Sequence, residues 1–286
     1  MLVSLCFAAL LSQPQAVNAF YIGHSLSSDI PDMVMAIAGS GFKFRHQDIP
    51  GAPLRWQWEE ATKKSKFEPQ FQGRYHTHLT RDFNALVMVD SVPRGEEPSL
   101  LESIDYAGRF VAFARQKNPQ IRTFYYEPWH DTTSGTPKRS EYDKSSPSRD
   151  LTWRPRITAD RPKWDRVVAE VNKQHPGGVP MKLIPAATGL GLLSDSISAG
   201  KVPGLKKIED LYSDTIHLNP LGKYFVACIH YRALFGGKVS GRAWDVKGRW
   251  GGAYYDTKDW AGNIYPKPSE ATAQAIQAIA DQVVIP

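Results

Sequence analysis

Five short apolar runs, each bounded by turn residues, recur along this chain with helical patterns between them: 19–22, 42–47, 84–89, 121–126 and 181–187. Strands that alternate with helices in this way predict a parallel sheet with helices on both faces. The helices are legible from their own signals. Pro31 opens one that carries Met33, Val34 and Ile37 at helical spacing. Ser99 and Glu102 form a capping box ahead of Leu101, Ile104, Ala107 and Val111, and Asn118-Pro119 stops that helix. Asp160-Arg161-Pro162 predicts the start of a third, with Trp164, Val167, Val168 and Val171 periodic. Asn219 and Pro220 cap and start a helix to about Leu234, and Ser269 caps a last one with Ile276, Ile279 and Val283 on one face. Gly189-Leu190-Gly191-Leu192, after the fifth strand, lacks the lysine and spacing of a phosphate loop.

The chain has 286 residues, enough for one domain with an extension. Its 42% hydrophobic and 22% charged residues are those of a globular protein rather than a disordered one. The formal net charge of +6 favours anionic partners such as acidic polysaccharides, or belongs to a basic soluble protein with none. Two cysteines, Cys6 and Cys228, exclude a disulfide framework, and Cys228 lies in an apolar helical run. Residues 2–11 are apolar and uncharged, and Val17-Asn18-Ala19 follows. That pattern reads as a signal peptide over 1–19, too short to span a bilayer, and predicts a periplasmic or secreted protein without stable membrane insertion. No nucleic-acid motif and no internal repeat stand out.

The chemistry gathers at two places. Ser25 lies just past the first strand, in Phe20-Tyr21-Ile22-Gly23-His24-Ser25-Leu26, at a turn into a helix. A serine there exposes its hydroxyl and has backbone N–H groups near a developing oxyanion. It needs a base. Asp214 and His217, three residues apart before the Asn219-Pro220 cap, supply an imidazole and a carboxylate to orient it.

Gly23-His24-Ser25-Leu26 resembles the Gly-Asp-Ser-Leu block of the SGNH (GDSL-type) hydrolases. Asp214-x-x-His217 with the following Asn-Pro-x-Gly resembles their closing block. The resemblance spans roughly 19–235 and implies a three-layer α/β/α, flavodoxin-like fold with a five-stranded parallel sheet. It implies a serine esterase with Ser25 as nucleophile, His217 as base and Asp214 as its orienting partner, with no metal or organic cofactor. It assigns the oxyanion hole to the backbone N–H groups of Ser25 and Gly51. The family's third donor is an asparagine after the third strand. Here that position reads Asp90-Ser91-Val92-Pro93. An ionised Asp90 cannot donate, so Ser91 or a backbone N–H is expected to stand in.

His24, Trp56, Glu127, Trp129 and His130 are the candidate substrate-binding residues. Glu127, Trp129 and His130 follow the fourth strand, at the edge where open α/β sheets bind ligands. Capping of the strand end is the alternative for these three, core packing for Trp56, and a fit to the turn for His24. Residues 131–161 read as a loop insertion flanking the pocket, whose Lys138, Arg139, Arg154, Arg156 and Arg161 would favour an acidic substrate or form a solvated face. Tyr75-His76-Thr77-His78 places two histidines at alternate positions, a strand pattern open to metal or to plain exposure. Residues 236–286 form an aromatic and basic extension packed on the domain, with carbohydrate binding as a further role for its rings. Within the resemblance, the substrate expected is an acetyl ester of a carbohydrate or polysaccharide. The alternatives are a lipid or aryl esterase, and a non-catalytic carbohydrate-binding or assembly protein of the same fold.

Overall fold

The computed structural model describes residues 16–60, 73–94, 97–140, 143, 146–259 and 261–286. The apolar runs become β1 (Val17–Gly23), β2 (Phe42–Asp48), β3 (Ala85–Val89), β4 (Arg122–Tyr126) and β5 (Lys182–Ile184). All pair in parallel, in the order β2-β1-β3-β4-β5. Side chains alternate across the sheet. In β1, Val17, Ala19 and Tyr21 enter one apolar core, and Phe20 and Ile22 enter the other. The first core is covered by α1 (Ile30–Ala38), α6 (Ala186–Ser198), α7 (Pro220–Phe235) and α8 (Glu270–Ala280). The second is covered by α4 (Glu97–Lys117) and most of α5 (Trp153–Gln174), with Leu54 of α2 (Leu54–Glu59). The three-layer arrangement is therefore the expected one.

Several boundaries move. α4 begins at Glu97, ahead of the Ser99 box, because Pro98 is tolerated in a first helical turn. Glu102 reaches out instead, to Arg94 at 2.9 Å and Arg55 at 3.3 Å. α5 begins at Trp153 rather than Asp160, and Pro162 lies inside it. The inward stripe Trp153, Arg156, Ile157, Asp160, Trp164, Val167 and Val171 runs through without a break, which outweighs the one helical N–H that Pro162 lacks. The insertion thus ends before Trp153. α6 was not expected at all. Its Gly189 lets Ile229 of α7 approach so closely that a Cβ would collide with it, so the glycine marks close helix packing rather than a loop.

The two histidines expected on a strand sit instead on a single helical turn, α3 (Tyr75–His78), where His78 Nδ1 accepts from Arg74 N–H at 3.0 Å. The signal-peptide reading falls largely outside the described residues. Of its remainder, Val17–Ala19 belong to β1 and pair with Phe42–Phe44 of β2, so cleavage after Ala19 would shorten a central strand. In the C-terminal stretch, α8 lies on the first core. Ser269 accepts from Thr272 N–H at 3.1 Å, and α8 buries Ala273, Ile276 and Ile279. Among the described residues no helix is long and apolar enough to cross a membrane.

Candidate active site

The chain leaves β1 for β2 on one side and returns to β3 on the other, so the switch in direction lies between β1 and β3. Crevices open at the carboxyl ends of strands at such a point. Ser25 follows β1 there, and Asp90 follows β3. The Ser25 turn is tight because Gly23 has no Cβ; one would collide with Ser27 Oγ and Val89. Ser27 closes the turn, its N–H and Oγ–H both donating to His24 O at 2.7 and 2.8 Å. From the sheet, Tyr126 Oη–H donates to Leu26 O at 2.9 Å.

The opposite wall is the loop before α7. Asn219 caps that helix, accepting from Leu221 N–H at 3.0 Å and Gly222 N–H at 3.2 Å. Ser213 N–H donates to His217 O at 2.8 Å and closes the loop. Inside it, Asp214 Oδ1 accepts the backbone N–H groups of Ile216 at 2.8 Å and His217 at 2.6 Å. Its Oδ2 lies 2.6 Å from His217 Nδ1. His217 Nε2 lies 2.9 Å from Ser25 Oγ. The chain Asp214–His217–Ser25 is therefore continuous, and the pairing fixes the tautomer: Nδ1–H donates to Asp214 and Nε2 accepts from the serine. Burial pushes the Asp214 carboxyl up, but the His217 backbone N–H, the imidazole and the Ile216 N–H together hold it below the usual carboxylate range.

The oxyanion side is less complete. Among the described residues, neither the Ser25 nor the Gly51 backbone N–H donates within the protein, which leaves both available. Gly51 has φ +66, in a turn closed by Ala52 N–H to Ile49 O at 3.1 Å. Ser91 cannot offer its backbone N–H, which donates to Asp90 Oδ1 at 2.8 Å; only its hydroxyl remains. Asp90 itself is buried and braces the site. Its Oδ1 also accepts Leu54 N–H at 3.1 Å, and its Oδ2 accepts Ser103 Oγ–H at 2.6 Å. Two glutamines do similar work that the sequence did not betray. Gln57 Nε2 donates to Gly23 O, and Gln47 Nε2 donates to Gln57 Oε1 at 2.9 Å. They join the Gly51 loop to the end of β1.

Four of the five expected substrate contacts have structural work instead. His24 is buried, with Nδ1 accepting from Leu26 N–H at 3.4 Å and Nε2–H donating to Asp90 O at 3.1 Å. Burial, the largest influence, lowers its pKa and keeps it neutral. Glu127 is buried and caps α6, accepting from Thr188 N–H at 2.8 Å and Thr188 Oγ–H at 2.9 Å. Burial raises its pKa to about 7. Trp129 is buried and donates its indole N–H to Ile216 O at 2.8 Å, gripping the Asp214–His217 loop from behind. His130 is buried with Nε2 2.6 Å from Asp160 Oδ2. Each follows the carboxyl end of β1 or β4, but a partner distant in sequence turns it inward. Trp56 alone stays at the surface, 42% exposed on α2, whereas the half-buried Trp58 stacks on Tyr75 against the second core.

Residues after β4 bond to the Asp214–His217 loop. Thr132 N–H and Oγ–H donate to Thr215 O at 2.7 and 3.0 Å, and Thr215 Oγ–H returns to Asp131 Oδ2 at 2.7 Å. A cleft of about 600 Å³ runs between them, lined by Thr132, Thr136, Lys138, Glu209, Asp214 and Thr215. The basic residues expected to attract an acidic substrate are mostly paired: Arg139 with Asp150, Arg154 with Asp195, Arg156 with Asp143 and Arg161 with Asp165. No group of metal-ligating side chains occurs among the described residues.

Sheet order, a serine after β1 and an Asp-x-x-His loop before the closing helix are together the arrangement that the resemblance to SGNH hydrolases implies. The chain is similar to a carbohydrate esterase family 3 protein from Talaromyces cellulolyticus, with 12% identity, a TM-score of 0.44, and 77% of this chain and 97% of that one covered. It is also similar to an aryl esterase of M. smegmatis, with 10% identity, a TM-score of 0.45, and 76% and 97% covered. A lipase/acylhydrolase from Enterococcus faecalis aligns at 12% identity and a TM-score of 0.40, over 77% and 96%. No family model and no curated protein matches the chain.

Proposed function

We propose that this chain is a serine ester hydrolase of the SGNH type, exported from the cytoplasm, that removes acetyl groups from a carbohydrate or polysaccharide. The observation that carries the catalytic part is the unbroken Asp214–His217–Ser25 chain, with contacts of 2.6 and 2.9 Å. A binding module of the same fold has no need of that alignment.

In the reaction, Ser25 Oγ attacks the ester carbonyl while His217 Nε2 takes its proton. Asp214 stabilises the imidazolium through Nδ1. The backbone N–H groups of Ser25 and Gly51 receive the oxyanion. The imidazolium then protonates the departing sugar oxygen. Water, activated by the same His217, attacks the acyl-enzyme and releases acetate. The surface indole of Trp56, on the helix that follows the Gly51 turn, supports a ring-bearing alcohol.

The test is initial hydrolysis of a small activated acetate ester by wild type and Ser25→Ala, with acetate release from acetylated polysaccharides measured in parallel. The variant is expected to lose both activities, by about 10⁴-fold or more. Activity that survives Ser25→Ala refutes the assigned nucleophile. A wild type inert on every ester refutes the esterase reading.

A further inference from the structure

Ser25 and His217 come from two separate segments, and the hydrogen bond between them is one that the reaction breaks. In the resting site His217 Nε2 lies 2.9 Å from Ser25 Oγ. Once the hydroxyl proton has moved and Oγ carries the acyl group, that bond is gone. The imidazole must still stay in place, to protonate the leaving oxygen and then to activate water. A second polar contact joins the same two segments: Lys223 Nζ donates to Asp29 Oδ2 at 2.7 Å.

Each partner is mounted close to its catalytic residue. Asp29 follows Ser25 by four residues and occupies the N-cap position of α1. The turn between them is closed by Ser27 N–H to His24 O at 2.7 Å and by Ile30 N–H to Ser27 O at 3.3 Å. Ser28 Oγ–H donates to Asp48 Oδ2 at 2.6 Å and ties the same turn to the end of β2. Lys223 follows His217 by six residues. Its N–H donates to Asn219 O at 2.9 Å, and Asn219 caps α7 two residues past the imidazole. The start of α7 is packed tightly, since a Cβ on Gly222 would collide with Leu211 O. Ser25, Asp29, Lys223 and His217 thus lie on one closed ring of backbone and side-chain bonds.

Both partners also stand against local preference. Asp29 has φ +67, in the left-handed region that favours glycine, yet its carboxylate makes no capping bond to α1. Lys223 lies within about one turn of the α7 N-terminus, the positive end of the helix dipole, where a cation is disfavoured. Neither helix gains from its residue. The gain lies in the contact between them, and departures from local rules of this kind belong to functional positions.

We propose that Asp29 and Lys223 are positioning residues for ester hydrolysis, their ion pair holding His217 at its distance from Ser25 while the hydrogen bond between the two is absent. This rests on the ester-hydrolase reading above. Neither side chain touches substrate in this role, so substrate affinity does not depend on them. α1 keeps a separate anchor, because Asp32 receives Arg249 Nε at 2.6 Å and Nη2 at 2.7 Å. Loss of the ion pair therefore shifts the Ser25 turn without releasing the helix.

The test compares wild type with Asp29→Gly, Lys223→Met and the double variant. It reads kcat and KM on a small activated acetate ester, the rate of Ser25 labelling by a fluorophosphonate, and thermal unfolding. Each single variant is expected to lower kcat and the labelling rate about five- to tenfold with KM within about twofold of wild type. The double variant is expected to be no slower than the slower single. The unfolding midpoint of Asp29→Gly is expected to be unchanged or higher, since glycine suits the left-handed backbone and a partly exposed ion pair adds little to stability. Lys223→Arg keeps the charge and is expected to retain about half or more of the wild-type kcat. Unchanged rates in either single variant, losses that multiply in the double, or a rate loss that appears only with a lowered midpoint overturns the positioning role. If wild type takes the label but hydrolyses no ester, the labelling rates decide in the same way. A wild type that does neither overturns the esterase reading, and the positioning role falls with it.

Discussion

The indole N–H of Trp129 donates to the Ile216 carbonyl at 2.8 Å, so a side chain just past β4 holds the loop that carries both Asp214 and His217. Thr132 and Asp131 add three more hydrogen bonds to Thr215 of the same loop. The acid–base pair is thus fixed by the insertion as much as by its own turn. Trp129→Phe keeps the packing and deletes the N–H. It should lower kcat on a small ester about tenfold with KM unchanged, because a slight shift of His217 is felt mainly at the transition state. The lost hydrogen bond should cost about 1 kcal/mol in urea unfolding. Unchanged kcat with that stability loss would show that Trp129 only packs.

Asp214 holds two backbone N–H groups through Oδ1 and the imidazole through Oδ2. Asp214→Asn preserves the first function, since its carbonyl oxygen still accepts. It destroys the second, since an amide N–H opposite Nδ1 forces the wrong tautomer on His217. The loop should stay folded while kcat falls about 10⁴-fold. Circular dichroism with initial rates checks the pair of outcomes. A fall below about tenfold would mean that His217 does not depend on Asp214 for its orientation.

The sequence exposed the parts of this site whose chemistry is local. Gly23, Ser25 and the Asp214–His217–Asn219 loop each act within a few residues of themselves, so their spacing is already their geometry. Strands were legible because buried parallel strands are continuous apolar runs. Polar residues at strand ends were not legible. Whether Glu127 faces a ligand or Thr188, and whether His130 faces solvent or Asp160, is decided by partners far away in sequence. Gly189 gave no sign of α6, because a packing glycine and a turn glycine look alike in sequence.

His24 stands where the family block has aspartate, and its environment explains the exchange. The imidazole both accepts, from Leu26 N–H, and donates, to Asp90 O. An ionised aspartate can do only the first, and it would sit near the buried Asp90 carboxylate. His24→Asp should therefore destabilise the fold by about 2 kcal/mol, although it restores the family motif. Thermal unfolding at neutral pH measures this. A more stable or more active His24→Asp would refute the bracing role of His24.

Glu127 links stability to pH. Burial raises its pKa to about 7 in the folded state, while the unfolded chain has an ordinary carboxyl near 4.5. Between those values the folded protein holds a proton that the unfolded protein has released. Its contribution is therefore fully present below about 4.5 and is lost as pH rises through 7. The span corresponds to about 3 kcal/mol. Glu127→Gln stays neutral, and its amide oxygen can still accept Thr188 N–H. Wild type should lose stability relative to Glu127→Gln as pH is raised from 4.5 to 7.5, with the gap levelling off above that. Parallel stability curves for the two proteins across this range would mean that the Glu127 carboxyl is ionised throughout, held down by Thr188 and the nearby Arg161 despite its burial.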